Sequence, residues 1–226
     1  MAIFQAFRAL RPVPDKAEAV AALPYDVVTR EEAKEIGDQN PDSFLHVDRA
    51  EMDLPADTDL YDQKVYDRAR ENLINMEKNG ILVQDGAPCY YIYELTRKGK
   101  TQTGLVGCCS IDDYMNGVVK KHELTREDKE QDRIHHVDVC DANTGPIYLA
   151  CRYTDALSAL LEQWKKEHKA AYDFTEEDEI THRVWVIDGD EAISQIQDEM
   201  EKIPALYIAD GHHRAVSAVK VGLKRR

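Results

Sequence analysis

The stretch Pro204-Ala-Leu-Tyr-Ile-Ala-Asp-Gly-His-His-Arg214, followed by Ala-Val-Ser-Ala-Val, organises the chain. Residues 206–209 read as a short buried strand, and Asp210 and Gly211 as a tight turn. His212, His213 and Arg214 then open a helix whose apolar positions, Val216, Val219 and Leu223, recur at helical spacing. A helix N-terminus presents free backbone N–H groups and the positive end of the macrodipole. Two imidazoles and a guanidinium placed there suit an anion, most simply a phosphate. The plainer reading of the same residues is a strand-to-helix turn capped by Asp210, with surface histidines.

Working outward, the 226 residues carry 43% hydrophobic and 32% charged residues, the balance of a water-soluble globular chain able to bury a real core. The formal net charge of -14 argues against a general nucleic-acid or anionic-membrane surface, because phosphate backbones reward a net positive field. A small anionic ligand in a local basic pocket is compatible with it. There is no run of about 18 apolar residues, so no membrane span is expected. The first eight residues lack the basic and long apolar regions of a signal peptide, and a cytoplasmic location follows as the expectation. The five cysteines, Cys89, Cys108, Cys109, Cys140 and Cys151, form no Cys-x-x-Cys pair. All except Cys140 sit in strand-like apolar runs and read as buried reduced thiols.

Strand and helix signals alternate along the chain. Residues 3–10 read as a strand broken by Arg11-Pro-Val-Pro14, 17–22 as a short helix or turn, and 23–28 as extended, since a residue before proline is pushed out of helix. Thr29 caps a helix over 30–39, with Glu32 completing a capping box. Residues 44–47 read as a short strand. The acidic run 48–62 reads as a solvated loop or hinge, with a possible subdivision near 48–60. Residues 60–79 form an amphipathic helix with Val65, Ala69, Leu73 and Met76 on one face and Gly80 at its end. Residues 88–95 and 104–111 form a hairpin about a polar turn at 96–103. A charged helix over 126–139, a strand at 145–152, a helix at 155–168, strands at 172–175 and 182–187 and a helix at 191–202 follow. Leu157, Leu160, Leu161 and Trp164 should face inward. The expected fold class is α+β, a mixed β-sheet with helices packed on it, in a single domain over 1–226.

A second charged motif is Gly117-Val-Val-Lys-Lys-His-Glu-Leu-Thr-Arg-Glu-Asp-Lys-Glu-Gln-Asp-Arg133. Thr125 is a good N-cap with Asp128 three residues on. Arg126, Lys129 and Arg133 fall at i, i+3 and i+7 and share a helix face. Lys120, Lys121, His122 and Glu123 lead into the same N-terminus. Such a stripe can hold a polyphosphate; the alternative is an exposed helix laced with ion pairs. In Pro24-Tyr-Asp-Val27, Asp26 either faces a site or serves a turn. No histidine or cysteine set has the spacing of a structural zinc site, and no P-loop, Gly-x-Gly-x-x-Gly or Gly-x-Ser-x-Gly motif occurs.

Phe7-Arg-Ala-Leu-Arg-Pro, Pro24-Tyr-Asp-Val, Asn40-Pro-x-Ser-Phe-Leu-His, Lys121-His-Glu-x-Thr through Lys129-Glu-x-Asp-Arg133, Gly145-Pro, His182-Arg-x-Trp and Ala209-Asp-Gly-His-His-Arg together resemble the prokaryotic domain-of-unknown-function family numbered 1015, sometimes labelled ParB-like. Members are usually about twice this length, so the resemblance implies that this chain is an N-terminal half. The Asp-Gly-His-His-Arg turn is also similar to the nucleotide box of the ParB/sulfiredoxin superfamily, which includes an archaeal ADP-dependent kinase of free serine. Sulfiredoxin's cysteine is absent from the box: His212 and His213 stand there. ParB's DNA-binding helix-turn-helix is not evident.

These resemblances imply a nucleotide-dependent phosphotransferase acting on a small hydroxyl metabolite, serine-like by analogy, with a nucleoside di- or triphosphate and Mg²⁺ as cofactors. Gly211, His212, His213 and Arg214 would hold the transferring phosphates. Lys121, His122, Arg126, Lys129 and Arg133 would hold the rest of the polyphosphate or the acceptor carboxylate. Asp210, Glu123 or Asp26 would deprotonate the hydroxyl or hold Mg²⁺. The alternatives are a non-catalytic nucleotide-sensing module and a ParB-like DNA-partition adaptor. Whether the motifs at 120–133 and 210–214 meet in space decides whether they form one site.

Overall fold

The computed structural model describes residues 2–176 and 179–226. The chain is α+β, and its strands divide among several small sheets. Two compact units share it. The first comprises Met1–Pro14, Gln84–Lys120 and Leu149–Tyr207; the second comprises Asp15–Val83, Lys121–Tyr148 and Ile208–Arg226. Each unit is therefore assembled from three separated segments, and neither corresponds to a continuous half of the chain. Among the described residues, no helix is long and apolar enough to cross a membrane.

The first unit is built on a four-stranded antiparallel sheet in the order Lys100–Val106, Tyr90–Arg97, Thr181–Ile187, Tyr172–Thr175. Its two central strands are the most β-prone stretches of the chain, Tyr-Tyr-Ile-Tyr and Val-Trp-Val-Ile, whose aromatic and β-branched side chains suit a pleated, packed surface. Ile92 pairs with Trp185 and Tyr90 with Ile187, and Tyr90, Ile92 and Ile187 are fully buried. The hairpin turn is tighter than the polar stretch 96–103 suggested. Lys98 and Gly99 both take positive φ, +50° and +74°, and the ladder runs on to the Arg97–Lys100 pair. Two consecutive left-handed residues match the right-handed twist of the flanking strands. The threonines expected in the turn are ladder residues, with Thr96 and Thr101 hydroxyls 2.8 Å apart across the strands. The edge strand exposes Lys100 through Gly104, a polar edge that disfavours pairing with another chain.

The helix Asp155–Glu167 belongs to this unit; Thr154 accepts from the Leu157 amide as its N-cap, and Trp164 Nε1 donates to the Val186 carbonyl at 3.1 Å. Leu157 is buried, whereas Leu160, Leu161 and Trp164 are half-buried, because the helix lies over the sheet without being enclosed. The strand expected over 3–10 is shorter: Phe4–Gln5 pairs with Cys108–Cys109, and Phe7 makes an isolated bridge to Cys89. Phe4 stacks on Tyr90 at 5.5 Å, and the Tyr90 hydroxyl donates to the Phe4 carbonyl at 2.7 Å. Gly107 makes this stack possible. A Cβ there would meet the Phe4 ring at 2.6 Å and the Tyr90 ring at 2.9 Å. Parallel pairing of Leu206 with Val119 and Tyr207 with Lys120 starts the strand Leu206–Asp210 in this unit.

The second unit is mainly helical: Arg30–Gln39, Leu45–Asp48, Gln63–Lys78, Glu127–Cys140 and His212–Lys224. The capping box at Thr29 is complete, with the Glu32 amide on Thr29 Oγ1 and the Thr29 amide on Glu32 Oε2. Gln63–Lys78 begins at its cap Asp62 and buries Val65, Tyr66, Ala69, Leu73 and Met76 on one face, as its periodicity required. It packs against Glu127–Cys140, which in turn packs against His212–Lys224. Residues 44–47, expected as a strand, form the helix Leu45–Asp48. The Val47 and Asp48 amides turn back to the Phe44 carbonyl, and the Leu45 amide to the Ser43 hydroxyl. Four apolar-rich residues carry too little periodicity to separate the two states, and local hydrogen bonding decides.

The acidic run is not a solvated hinge throughout. Ala50–Asp53 forms a 3₁₀ turn with Ala50, Glu51 and Met52 buried. Val28, Ala33, Leu45 and Met52 make a buried apolar cluster. Arg30 fixes the segment by donating to the carbonyls of Glu51, Pro55, Ala56, Thr58 and Leu54 at 2.8, 2.8, 3.1, 3.2 and 3.3 Å. A planar guanidinium can gather carbonyls arranged around it in this way, whereas an ammonium is a point charge.

Two stability outcomes follow from these contacts. Gly107→Ala should cost about 1–3 kcal/mol, as overpacking does, and lower the melting temperature by several degrees; an unchanged melting temperature would show that the Phe4–Tyr90 stack yields freely. Arg30→Ala should cost about 1–3 kcal/mol and speed amide exchange across residues 50–58, with Arg30→Lys recovering little. Exchange in that segment equal to wild type in Arg30→Ala would refute the clamp.

Candidate functional site

The site lies wholly in the second unit. The strand Leu206–Asp210 buries Leu206 and Ile208 and ends at Gly211, which takes φ +88° and ψ 35° as the N-cap of His212–Lys224. That left-handed conformation favours glycine. It has a second reason here: a Cβ on Gly211 would meet the Arg214 guanidinium at 3.1–3.3 Å. The expected cap by Asp210 is not formed. Asp210 is the last strand residue, and its carboxylate accepts from Arg214 Nη2. Arg214 Nη1 donates to the Pro146 carbonyl, and a Cβ on Gly145 would come within 3.1 Å of Arg214 Cδ. Two glycines thus leave room for one folded-back arginine, whose side chain is 14% exposed. Of the helix's expected apolar face, Val219 is buried, Val216 half-buried and Leu223 exposed. Burial falls instead on His212, Ala215, Ser217, Val219 and Val221, because the Glu127–Cys140 helix covers the flank carrying Ser217.

The two charged motifs converge at this turn. The His122 and His212 rings meet edge to face at 4.5 Å, and the Glu123 carboxylate lies 3.5 Å from His212 Nδ1 and 3.9 Å from His122 Nε2. His213 Nε2 accepts the Arg126 backbone N–H at 3.1 Å, which requires that nitrogen to be unprotonated. His213 therefore ties the 121–126 loop to the helix. Lys121 precedes His122 on that loop and is exposed.

The charged helix runs over Glu127–Cys140 with Arg126, not Thr125, in the N-cap position. Thr125 is diverted: its hydroxyl donates to Glu130, a buried carboxylate that also pairs with Lys220. Arg126, Lys129 and Arg133 share sequence spacing but not surroundings. Arg126 is exposed and bound to Asp128, Lys129 is exposed, and Arg133 is buried. The Arg133 guanidinium lies 4.2 Å from the Tyr25 ring centroid, with Nε on Asp132, which also accepts from the Tyr66 hydroxyl. Asp26 is exposed and next to Tyr25 in the chain.

Arg133, Arg214, Tyr25, Asp48, His136 and Thr144 line a small, open cleft. A second small cleft shares Tyr25, Asp48, Arg133 and His136 and adds Lys129. Burial pushes the Tyr25 phenol up and, with the Arg133 charge, pushes the His136 imidazole down. His136 Nε2 donates to the Val47 carbonyl at 3.0 Å, as a neutral ring in a dry position does. Asp48 Oδ1 accepts from Thr144 at 2.6 Å. Residues Asp48, His136 and Thr144 escaped sequence reasoning. Asp48 opens an acidic run that reads as solvent-facing, and His136 sits in a charged helix beside His135. The Gly145-Pro block was the one usable signal.

The thiols offer little chemistry. All five cysteines are free; Cys89 and Cys140 are buried, and burial raises Cys140 to about 11 and Cys109 to about 12. Cys108 departs from its expectation, since it is an exposed residue of the short Cys108–Cys109 strand.

Neither the curated proteins nor the solved structures contain a match to this chain. A family model does match, over residues 4–226, so nearly the whole sequence, the Asp-Gly-His-His-Arg turn and both clefts included, is covered by it. The chain belongs to the family described as Protein of unknown function (DUF1015).

Proposed function

We propose that this unit binds the phosphates of a nucleotide and transfers one to the hydroxyl of a small, serine-like metabolite. The observation that carries the reading is the convergence of the 121–126 loop with the 210–214 turn, joined by the His122–His212 and Arg126–His213 contacts. It is supported by the likeness of the Asp-Gly-His-His-Arg turn to the ParB/sulfiredoxin nucleotide box and to that of the archaeal serine kinase.

In this reading the N-terminus of His212–Lys224 and Arg214 receive the transferring phosphate, and Arg133 lies along the same cleft wall as Arg214 for the remaining charge. Lys129, on the adjoining cleft, is available to the acceptor's carboxylate. The acceptor oxygen attacks the terminal phosphorus while the bond from that phosphorus to the nucleotide's bridging oxygen breaks. The hydroxyl proton passes to a carboxylate at the turn, and the nucleotide leaves one phosphate shorter. Asp210 is the better placed carboxylate, two-thirds exposed and already against Arg214. Mg²⁺ would arrive on the nucleotide phosphates, with Asp210 as the oxygen donor nearest the turn.

The test is a thermal-shift titration with ATP, ADP and CTP, each with magnesium chloride. One of them should raise the melting temperature, by the stabilisation of about 2.7 kcal/mol that a ligand at 100 times its dissociation constant supplies. Arg214→Ala should remove that shift. No shift with any nucleotide, or an undiminished shift in Arg214→Ala, overturns the site. A shift without formation of phosphoserine from serine turns the reading toward the nucleotide-sensing module. Asp210→Asn should then lower transfer by about 10²–10⁴-fold, the range for loss of a general base.

A further inference from the structure

His212, like His46 and His182, has a buried Nε2 without a hydrogen-bond partner, and the phosphate reading does not absorb it. Its side chain is 5% exposed. Its Nε2 is buried without a hydrogen-bond partner, and its Nδ1 stands 3.5 Å from Glu123, at the outer limit of a hydrogen bond. An imidazole always has two nitrogens to satisfy. Leaving one of them dry and unpaired is unfavourable. An arginine or lysine would serve a phosphate better at this position, with no lone pair to satisfy.

The neighbours of His212 are themselves ligand types. One donor atom each from His122, Glu123 and His212 lie within 4.8 Å of one another, and among the described residues no other group of histidine, cysteine and carboxylate side chains converges in this way. Donors at about 2.0–2.2 Å from a tetrahedral ion stand about 3.3–3.6 Å apart. Closing the gap falls to His122 and Glu123, whose side chains are 60% and 64% exposed. His212, on the first turn of its helix, is the fixed member. His122 and Glu123 are consecutive residues on the loop that His213 holds against that helix through the Arg126 amide.

We infer that His122, Glu123 and His212 bind a divalent transition-metal ion of the zinc class. Two imidazoles and one carboxylate suit Zn²⁺ and its first-row neighbours; Mg²⁺ prefers an octahedron of oxygens and keeps its waters. Three protein donors leave a fourth position for an exogenous oxygen, as in catalytic rather than structural zinc sites. The ion's place beside the Asp210–Arg214 turn suits a phosphate oxygen as that fourth ligand. That last step rests on the phosphate reading above; the metal site does not.

The experiment uses the full chain, stripped with EDTA and dialysed, without nucleotide. Titration with cobalt chloride should give the visible absorption of a tetrahedral ion, and zinc chloride should bleach it at one equivalent per chain, while excess magnesium chloride should not. His122→Ala and Glu123→Gln, both at exposed positions and so expected to fold, should each weaken zinc binding at least about tenfold; His212→Ala should abolish the cobalt spectrum. Absence of the spectrum, or zinc binding of wild-type affinity in the His122→Ala/Glu123→Gln double variant, overturns the site. The second result would place the ion elsewhere, on thiols for example. Failure here with an intact nucleotide shift leaves the phosphate reading standing, and zinc binding that survives in Arg214→Ala while the nucleotide shift is lost separates the two in the other direction.

Discussion

The site depends on one arginine folding back over one glycine. Arg214 sits on the first turn of its helix, and its guanidinium returns along the chain to Asp210 and across to the Pro146 carbonyl. That path exists because Gly211 and Gly145 have no Cβ; either side chain would stand within 3.1 Å of Arg214. The positive φ of Gly211 also makes the sharp change from strand to helix. A single backbone feature therefore sets the strand end, the helix start, the aim of the arginine and the wall of the cleft. Substitution at Gly211 would meet both the backbone and the steric constraint, and no nearby rotamer change relieves the first.

Charge is distributed in keeping with that arrangement. The chain carries a net -14, yet the cations of the two motifs are mostly neutralised locally. Arg126 is bound to Asp128, Arg133 to Asp132 and Arg214 to Asp210. The exposed Arg126–Asp128 pair contributes little to stability and mainly cancels charge. Arg133 differs. It is buried, faces the Tyr25 ring and shares a cleft with Arg214 and Asp48. Two guanidiniums, each held by its own carboxylate, Arg133 by Asp132 and Arg214 by Asp210, therefore meet in one cleft of an acidic protein.

Much of the local structure was legible in the sequence. The capping box at Thr29, the apolar stripe of Gln63–Lys78, the β-rich stretches around Tyr90 and Trp185 and the strand–turn–helix at 206–224 each rest on interactions between residues near one another in the chain. Such signals survive in a one-dimensional reading because propensity, periodicity and capping act over a few residues. The readings that gave way were those in which a distant group supplied the deciding bond. Phe44 to Val47 became helical, the acidic run was gathered by Arg30, Thr125 was taken from its helix cap by Glu130, and Leu223 lost its place in the core to Ser217 and Val221.

From the sequence alone came the α+β class, most of the elements and the strand–turn–helix at Asp210–Arg214, because those follow from short-range chemistry. The tertiary structure alone decided that His122 and Glu123 reach His212, that Arg126 and Arg133, seven residues apart on one nominal face, are exposed and buried respectively, and that Asp48, His136 and Thr144 belong to the cleft. These are long-range facts. About 90 residues separate His122 from His212, and no spacing rule relates positions that far apart; their meeting is set by the packing of Glu127–Cys140 against His212–Lys224.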